Sequence, residues 1–132
     1  MAEPKANFYS DIGLGFIAHP ITGNIQRKTD VDSIKQSVKS LVLTDFYERP
    51  FKPRIGCSIR YFLFELFTPA TKQMMETTIA EVIENYEPRV RLESVNVIEN
   101  PDQNSLTATI IFYIRNRPNE PIDLDLIIER VR

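Results

Sequence analysis

Cysteine and histidine each occur once in this chain of 132 residues, as Cys57 and His19, and tryptophan is absent. A single cysteine permits no internal disulfide, which fits a reducing compartment. Zinc ordinarily draws about four clustered ligands of the Cys and His kind, so one of each gives no basis for a metal site. Cys57 would need a base beside it to act as a nucleophile and is read as a small packing residue. His19 stands before Pro20 and a Gly-Asn turn and is read as a loop residue. Long apolar runs are also missing. The longest, Thr109 to Ile114, falls far short of the roughly 20 residues that cross a bilayer. Met1 to Asn7 lack the apolar stretch of a signal peptide, so export by that route is not expected. A formal net charge of −2 offers no broad basic field to nucleic acid or to an anionic membrane, and neither is expected as a partner.

What is present is an ordinary globular balance, 42% hydrophobic and 26% charged, in a length that fits one domain over residues 1–132. Residues 1–10 are polar and expected to be flexible until anchored. Ile12, Leu14 and Phe16 alternate with other residues, predicting a short strand paired with residues 25–28 across Thr22-Gly23-Asn24. Thr29-Asp30-Val31-Asp32 resembles a capping box, and Val31, Ile34, Val38, Leu41 and Val42 form a stripe, so a helix is predicted over 30–43. Ser58 is expected to cap a short helix with Ile59, Phe62, Leu63 and Leu66 on one face, broadened by Phe64 and Phe67. Thr68-Pro69 is a strong helix start, and Met75, Ile79, Val82 and Tyr86 carry that helix to about residue 86. Met74 and Met75 are read as core.

After Arg89 the period becomes two. Val90 and Leu92 fall on one face and Val95 and Val97 on the other, so a bulge near Ser94 is predicted. Turns at 100–104 and 116–121 separate a second strand, Leu106 to Arg115, from a third beginning at Ile122. The fold class is therefore α+β: helices packed on one face of a C-terminal three-stranded antiparallel meander, with an N-terminal hairpin as a possible addition.

Two segments stand apart from this core. Residues 44–57 hold Pro50, Pro53 and Gly56 with Arg49, Lys52 and Arg54 set around Phe46, Tyr47 and Phe51. Such a segment is a loop, with its aromatics expected to anchor inward and its cations at the surface, hence a candidate contact site. In Tyr86-Glu87-Pro88-Arg89, Pro88 disfavours helical geometry at Glu87 and is expected to fix a corner with opposite charges on either side. Those charges can satisfy each other or offer a bidentate grip to another protein. A meander also leaves sheet edges; on the last strand Asp123, Asp125 and Glu129 discourage indiscriminate pairing yet admit a basic partner strand.

Arg49-Pro50-Phe51-Lys52-Pro53-Arg54-Ile55-Gly56-Cys57, then Leu63-Phe64-Glu65-Leu66-Phe67-Thr68-Pro69, then Tyr86-Glu87-Pro88-Arg89-Val90, resemble in order and spacing the small baseplate-wedge proteins of contractile phage tails. That family includes the sheath initiators of type VI secretion baseplates, and the resemblance spans residues 30 to 131. It implies a structural protein of the virion tail baseplate, assembled in the host cytoplasm, without cofactor, in six copies per baseplate. It further implies that Glu87, Pro88 and Arg89 contact the helical core bundle of the large wedge subunits. The strand around residues 122–131, with Asp123, Asp125 and Leu126, would receive the tail sheath protein by β-augmentation, and tube or hub proteins are further partners to consider.

The competing function is a peptidoglycan-cleaving glycosidase. It would need two carboxylates roughly 5–10 Å apart, one with its pKa raised in an apolar pocket. Glu65, among Phe64, Leu66 and Phe67, is the best acid candidate; Asp45, Glu48 and Glu87 are possible partners, and nothing in the spacing selects one.

Overall fold

The computed structural model describes residues 9–129. They divide into two compact units, one ending at Ser37 and the other beginning at Val38. The secondary structure is α+β, with helices preceding a three-stranded antiparallel sheet and a small hairpin near the N-terminus.

In the first unit, strand β1 (Ser10–Ile12) pairs antiparallel with β2 (Arg27–Thr29), and helix α1 (Asp30–Leu43) follows without a break. The hairpin exists, with Asp11 opposite Lys28 and Ile12 opposite Arg27, but its first strand stops at Ile12 and does not run on to Phe16. Phe16 N–H donates to the Gly13 carbonyl at 3.0 Å, closing a turn that lifts Leu14 and Phe16 out of the ladder into solvent. Pairing resumes only at Ala18 with Ile25. His19 is a loop residue whose Nδ1 accepts from the N–H groups of Ile21 and Thr22 at 3.3 and 3.4 Å. The start of α1 is held by a reciprocal pair: Asp30 N–H donates to the Tyr9 carbonyl at 2.8 Å, and Tyr9 N–H donates to Asp30 Oδ1 at 3.3 Å. Tyr9 and Ser10 are thus tied into ordered structure, whereas the rest of the segment expected to be flexible, residues 1–8, lies outside the described residues. Gln36, largely buried, donates to the Ile12 carbonyl at 2.9 Å and accepts from Leu14 N–H at 3.3 Å, so one amide satisfies both partners of the irregular turn. The α1 stripe is real: Ile34, Val38, Leu41 and Val42 are buried.

The second unit carries the sheet. Helix α2 (Pro69–Tyr86) begins as predicted, with Pro69 at its first position and the Thr68 hydroxyl accepting from Thr71 N–H at 3.2 Å. Met75, Ile79, Val82 and Ile83 are buried and α2 packs on β3; Met74, expected inside, is exposed. The helix stops where Pro88 requires, with Glu87 already non-helical at φ −122°, ψ 83°. Strands β3 (Val90–Asn100), β4 (Ser105–Ile114) and β5 (Arg117–Glu129) form a meander in that order. The register slips between Leu92 and Ser94, leaving Glu93 as the extra residue. This bulge brings Val90, Leu92, Val95 and Val97 onto one face, opposite Ile114, Phe112, Ile110 and Ala108. On β5, Ile122, Leu124, Leu126 and Ile128 line the same face.

Two boundaries moved. The turn expected over 116–121 is only Arg115-Asn116, because Arg117 already pairs with Ile114; the register then slips, and Pro118, Asn119 and Glu120 bulge out before Pro121 meets Tyr113. Both prolines are accommodated because β5 is an edge strand, where a missing N–H need cost no ladder bond. The segment after Ser58 is a 3-10 helix, Ile59–Phe64, rather than an α-helix. It ends at Glu65 in extended geometry, so only Ile59 and Leu63 are buried while Phe64 and Leu66 lie in solvent. Ser58 itself, at φ 49°, makes no side-chain cap bond; its hydroxyl instead accepts from Phe46 N–H at 3.0 Å.

Candidate functional site

The corner between α2 and β3 closes on itself. Arg89 Nε donates to Glu87 Oε1 at 2.6 Å and its Nη2 to Oε2 at 2.8 Å, a bidentate pair of the strongest geometry available to these groups. Glu87 is 3% exposed and the Arg89 side chain 28% exposed, so the carboxylate is withdrawn from solvent and the guanidinium only partly so. Val90 N–H donates to the Glu87 carbonyl at 3.3 Å, and Arg115 N–H to the Arg89 carbonyl at 3.0 Å, fixing the exit into the sheet. What the corner presents outward is Pro88 and the ring of Tyr86.

The Tyr86 hydroxyl donates to the Arg54 carbonyl at 3.3 Å and so ties the corner to the loop of residues 45–56. The neck of that loop is narrow. Cys57 N–H donates to the Thr44 carbonyl at 2.8 Å and Tyr47 N–H to the Pro53 carbonyl at 2.8 Å. Gly56 is buried at the closure, and a Cβ there would stand 2.8 Å from both the Thr44 carbonyl oxygen and the Asp45 carbonyl carbon, so no other residue fits. The aromatics do not anchor inward as expected. Phe51 is 102% and Tyr47 84% exposed, both at positive φ, 66° and 65°. The two prolines and the tight neck leave these residues on the outside of the turn. A left-handed conformation costs a residue with a bulky side chain about 1 kcal/mol, and such strain collects where structure serves something other than stability. Arg49, Lys52 and Arg54 are exposed, as expected.

Beside the loop, the 3-10 helix turns Tyr61 and Phe64 outward, and with Phe46 and Tyr47 they border an open groove of about 880 Å³ that also reaches Asp45 and Cys57. The sequence concealed this surface because its aromatic spacing reads equally well as a buried helix face. Cys57 is buried and its thiol pushed up to about 12, first by burial and then by the charge of Asp45. It is a packing thiol, not a poised nucleophile.

The two edges of the sheet differ. On β3, Val97 N–H donates to Glu76 Oε1 of α2 at 2.9 Å, so a side chain of the helix caps that N–H. No sequence signal marked Glu76 for this role. On β5 no strand pairs with the outer edge among the described residues. Asp123 and Asp125 are exposed on the sheet face away from the core, where Thr109 Oγ1 donates to Asp125 Oδ1 at 2.7 Å; the Leu126 side chain is buried in the core. Of the proposed contact residues, then, the structure joins Tyr86 to Arg54 and Glu87 to Arg89, and sets Asp123, Asp125 and Leu126 on a separate strand. The expected end of that strand at residues 130–131 lies outside the described residues.

The carboxylates weighed for glycosidase chemistry lack the environment that this chemistry needs. Glu65 is exposed, flanked by exposed Phe64 and Leu66, so the apolar pocket expected around it is not there. Asp45 lies 3.9 Å from Arg60, Glu48 accepts from Asp45 N–H at 2.8 Å, and Glu87 is held by Arg89.

The family model described as baseplate wedge protein gp25 matches residues 28–119. The baseplate wedge protein gp25 of Enterobacteria phage T4 is 35% identical over 97 residues, 74% of this chain and 74% of that protein. Among solved structures, a putative tail lysozyme from Geobacter sulfurreducens aligns with TM-score 0.67 at 24% identity, over 75% of this chain and 89% of that one. A chain of the anti-feeding prophage baseplate aligns with TM-score 0.65 at 18% identity, over 94% and 87%. A chain of the post-contraction pyocin R2 baseplate gives 0.60 at 20% identity, over 80% and 99%. At these identities the structural likenesses speak for the fold.

Proposed function

Because the chain belongs to the baseplate wedge protein gp25 family and is therefore a tail-baseplate protein, we propose that it is a non-catalytic scaffold with two docking sites, one for the wedge and one for the sheath. Large wedge subunits dock on the corner and its tethered loop, through Tyr86, Pro88 and Arg89 with Arg49, Phe51 and Arg54. Glu87 acts there by orienting the Arg89 guanidinium from beneath. Sheath polymerisation begins by strand addition along β5, with Asp123 and Asp125 beside the incoming strand and Leu126 contributing its backbone only. The protein assembles into the virion in the host cytoplasm, in six copies per baseplate.

The observation that carries this reading is the inequality of the two sheet edges. An unpaired edge is a template for another chain, and monomeric proteins usually cover or disrupt it. Here Glu76 of α2 caps one N–H of β3, whereas β5, beyond its bulge at Pro118–Glu120, runs without a capping side chain of this kind over residues 121–129, among the described residues, and carries acidic side chains on its solvent face. A basic strand adding to β5 would gain main-chain bonds together with contacts to Asp123 and Asp125, a combination that selects its partner.

Amide hydrogen exchange of the full-length protein, with and without sheath subunits from its own contractile system, tests this directly. Amides within 117–129 should gain protection when sheath is added, while β3 amides stay unchanged. Sheath binding that leaves the β5 amides exchanging at their free rate would refute strand addition.

A further inference from the structure

We propose that the aromatic groove beside the 45–56 loop seats an acidic segment of a partner protein that carries bulky apolar side chains. The proposal rests on the scaffold reading only for who supplies that segment. Phe46, Tyr47, Tyr61 and Phe64 are all exposed around one concavity, and Phe51 stands fully out on the adjoining loop. Contiguous exposed aromatics with neighbouring arginines are the composition of interface centres, not of free surface. The groove is held ready by the Thr44–Cys57 closure, the Gly56 packing and the Phe46–Ser58 bond, so an occupant meets a formed surface.

Charge decides the occupant. The acidic groups at the rim are already engaged, Asp45 near Arg60 at 3.9 Å and Glu48 on the Asp45 N–H at 2.8 Å. Arg49, Lys52 and Arg54, all exposed, have no carboxylate within ion-pair distance among the described residues. These three cations stand on the loop that supplies Phe46 and Tyr47 to the groove, and they complement a segment with apolar anchors and flanking Asp or Glu. An anionic membrane would meet the same cations, but it cannot enter a concavity and would be repelled by a chain of net charge −2.

The probe is a fluorescent synthetic peptide with Leu and Phe at helical spacing and Glu elsewhere, titrated into the full-length protein by anisotropy. A Lys-for-Glu peptide and phosphatidylserine vesicles serve as alternatives. Saturable binding of the Glu peptide is expected, weakening with salt and about tenfold weaker for Arg49→Glu/Lys52→Glu/Arg54→Glu, since three exposed pairs at roughly 0.5 kcal/mol each amount to one decade. Tyr61→Ser/Phe64→Ser, which alters only exposed side chains, should abolish binding with its circular dichroism unchanged. No binding of the Glu peptide, equal binding of the Lys peptide, capture by vesicles alone, or undiminished binding by the serine variant each overturns the proposal. None of these outcomes touches strand addition on β5, which the exchange experiment judges separately.

Discussion

The corner at 86–89 and the loop at 45–56 are made from similar material, prolines beside cations and an aromatic ring, and they end up opposite in character. At the corner the charges turn inward: Glu87 and Arg89 pair through two short bonds, and the backbone on either side is bonded into helix and sheet. In the loop the charges stay apart, two aromatics sit in left-handed geometry, and their rings face water. The difference lies in what the chain could reach. Glu87 and Arg89 flank a proline that fixes them on the same side of one bend, within reach of each other. Between Thr44 and Cys57 the chain must leave and return through a neck that admits only glycine at position 56, and this holds its residues on the outside of the turn. Internal satisfaction makes the corner a fixed platform whose outward groups are Pro88 and Tyr86, while tolerated strain with unspent side chains marks a loop kept for a partner.

The comparison breaks first if the corner is not structural. Arg89→Ala removes both bonds to a carboxylate that is 3% exposed, and breaking a buried pair from one side costs about 3 kcal/mol. Urea denaturation of the free protein should show that loss as a lower midpoint with unchanged slope. A loss below about 0.5 kcal/mol, the range of exposed pairs, would return Glu87 and Arg89 to the surface and leave their role entirely with the wedge.

The loop should respond in the other direction. Phe51 is fully exposed at φ 66°, so Phe51→Gly forfeits no packing and relieves a conformation that disfavours side chains. The gain of about 1 kcal/mol is partly offset by the greater freedom of glycine in the unfolded chain, so the thermal midpoint should hold or rise by a few degrees. Wedge assembly by the same variant should fall. A lower midpoint would show that the ring is doing stabilising packing and would erase the contrast with the corner.

How much of this was legible in advance follows the same division. Elements set by local rules were readable: the Thr68-Pro69 start, the stop before Pro88, and the bulge near Ser94, which follows from the change of phase between Leu92 and Val95. The family resemblance also rested on motifs at fixed spacing, and the family match agrees with it. Features set by distant packing were not readable. Whether Phe64 and Leu66 point in or out depends on a 3-10 helix ending at Phe64, and the cap that Glu76 places on the Val97 N–H depends on a contact across 21 residues. The first strand ends at Ile12, short of Phe16, for a related reason, since Gln36 stabilises an irregular turn that alternation alone would have drawn as strand.

The smallest effect at neutral pH concerns Cys57, which sits where the loop closes. Burial holds its thiol at about 12 in the folded chain against an ordinary 9.0, so the folded state keeps a proton that the unfolded state releases first. Its contribution is therefore intact below about pH 9 and is lost progressively as pH rises toward 12. Cys57→Ala should flatten the alkaline fall in stability relative to the parent protein, with little difference in slope from pH 6 to 8. Native protein at pH 8 should also resist a thiol reagent that labels the unfolded chain at once. Rapid labelling would mean that the neck opens readily, and the loop would then be a mobile connector, no longer the rigid, strained counterpart of the corner.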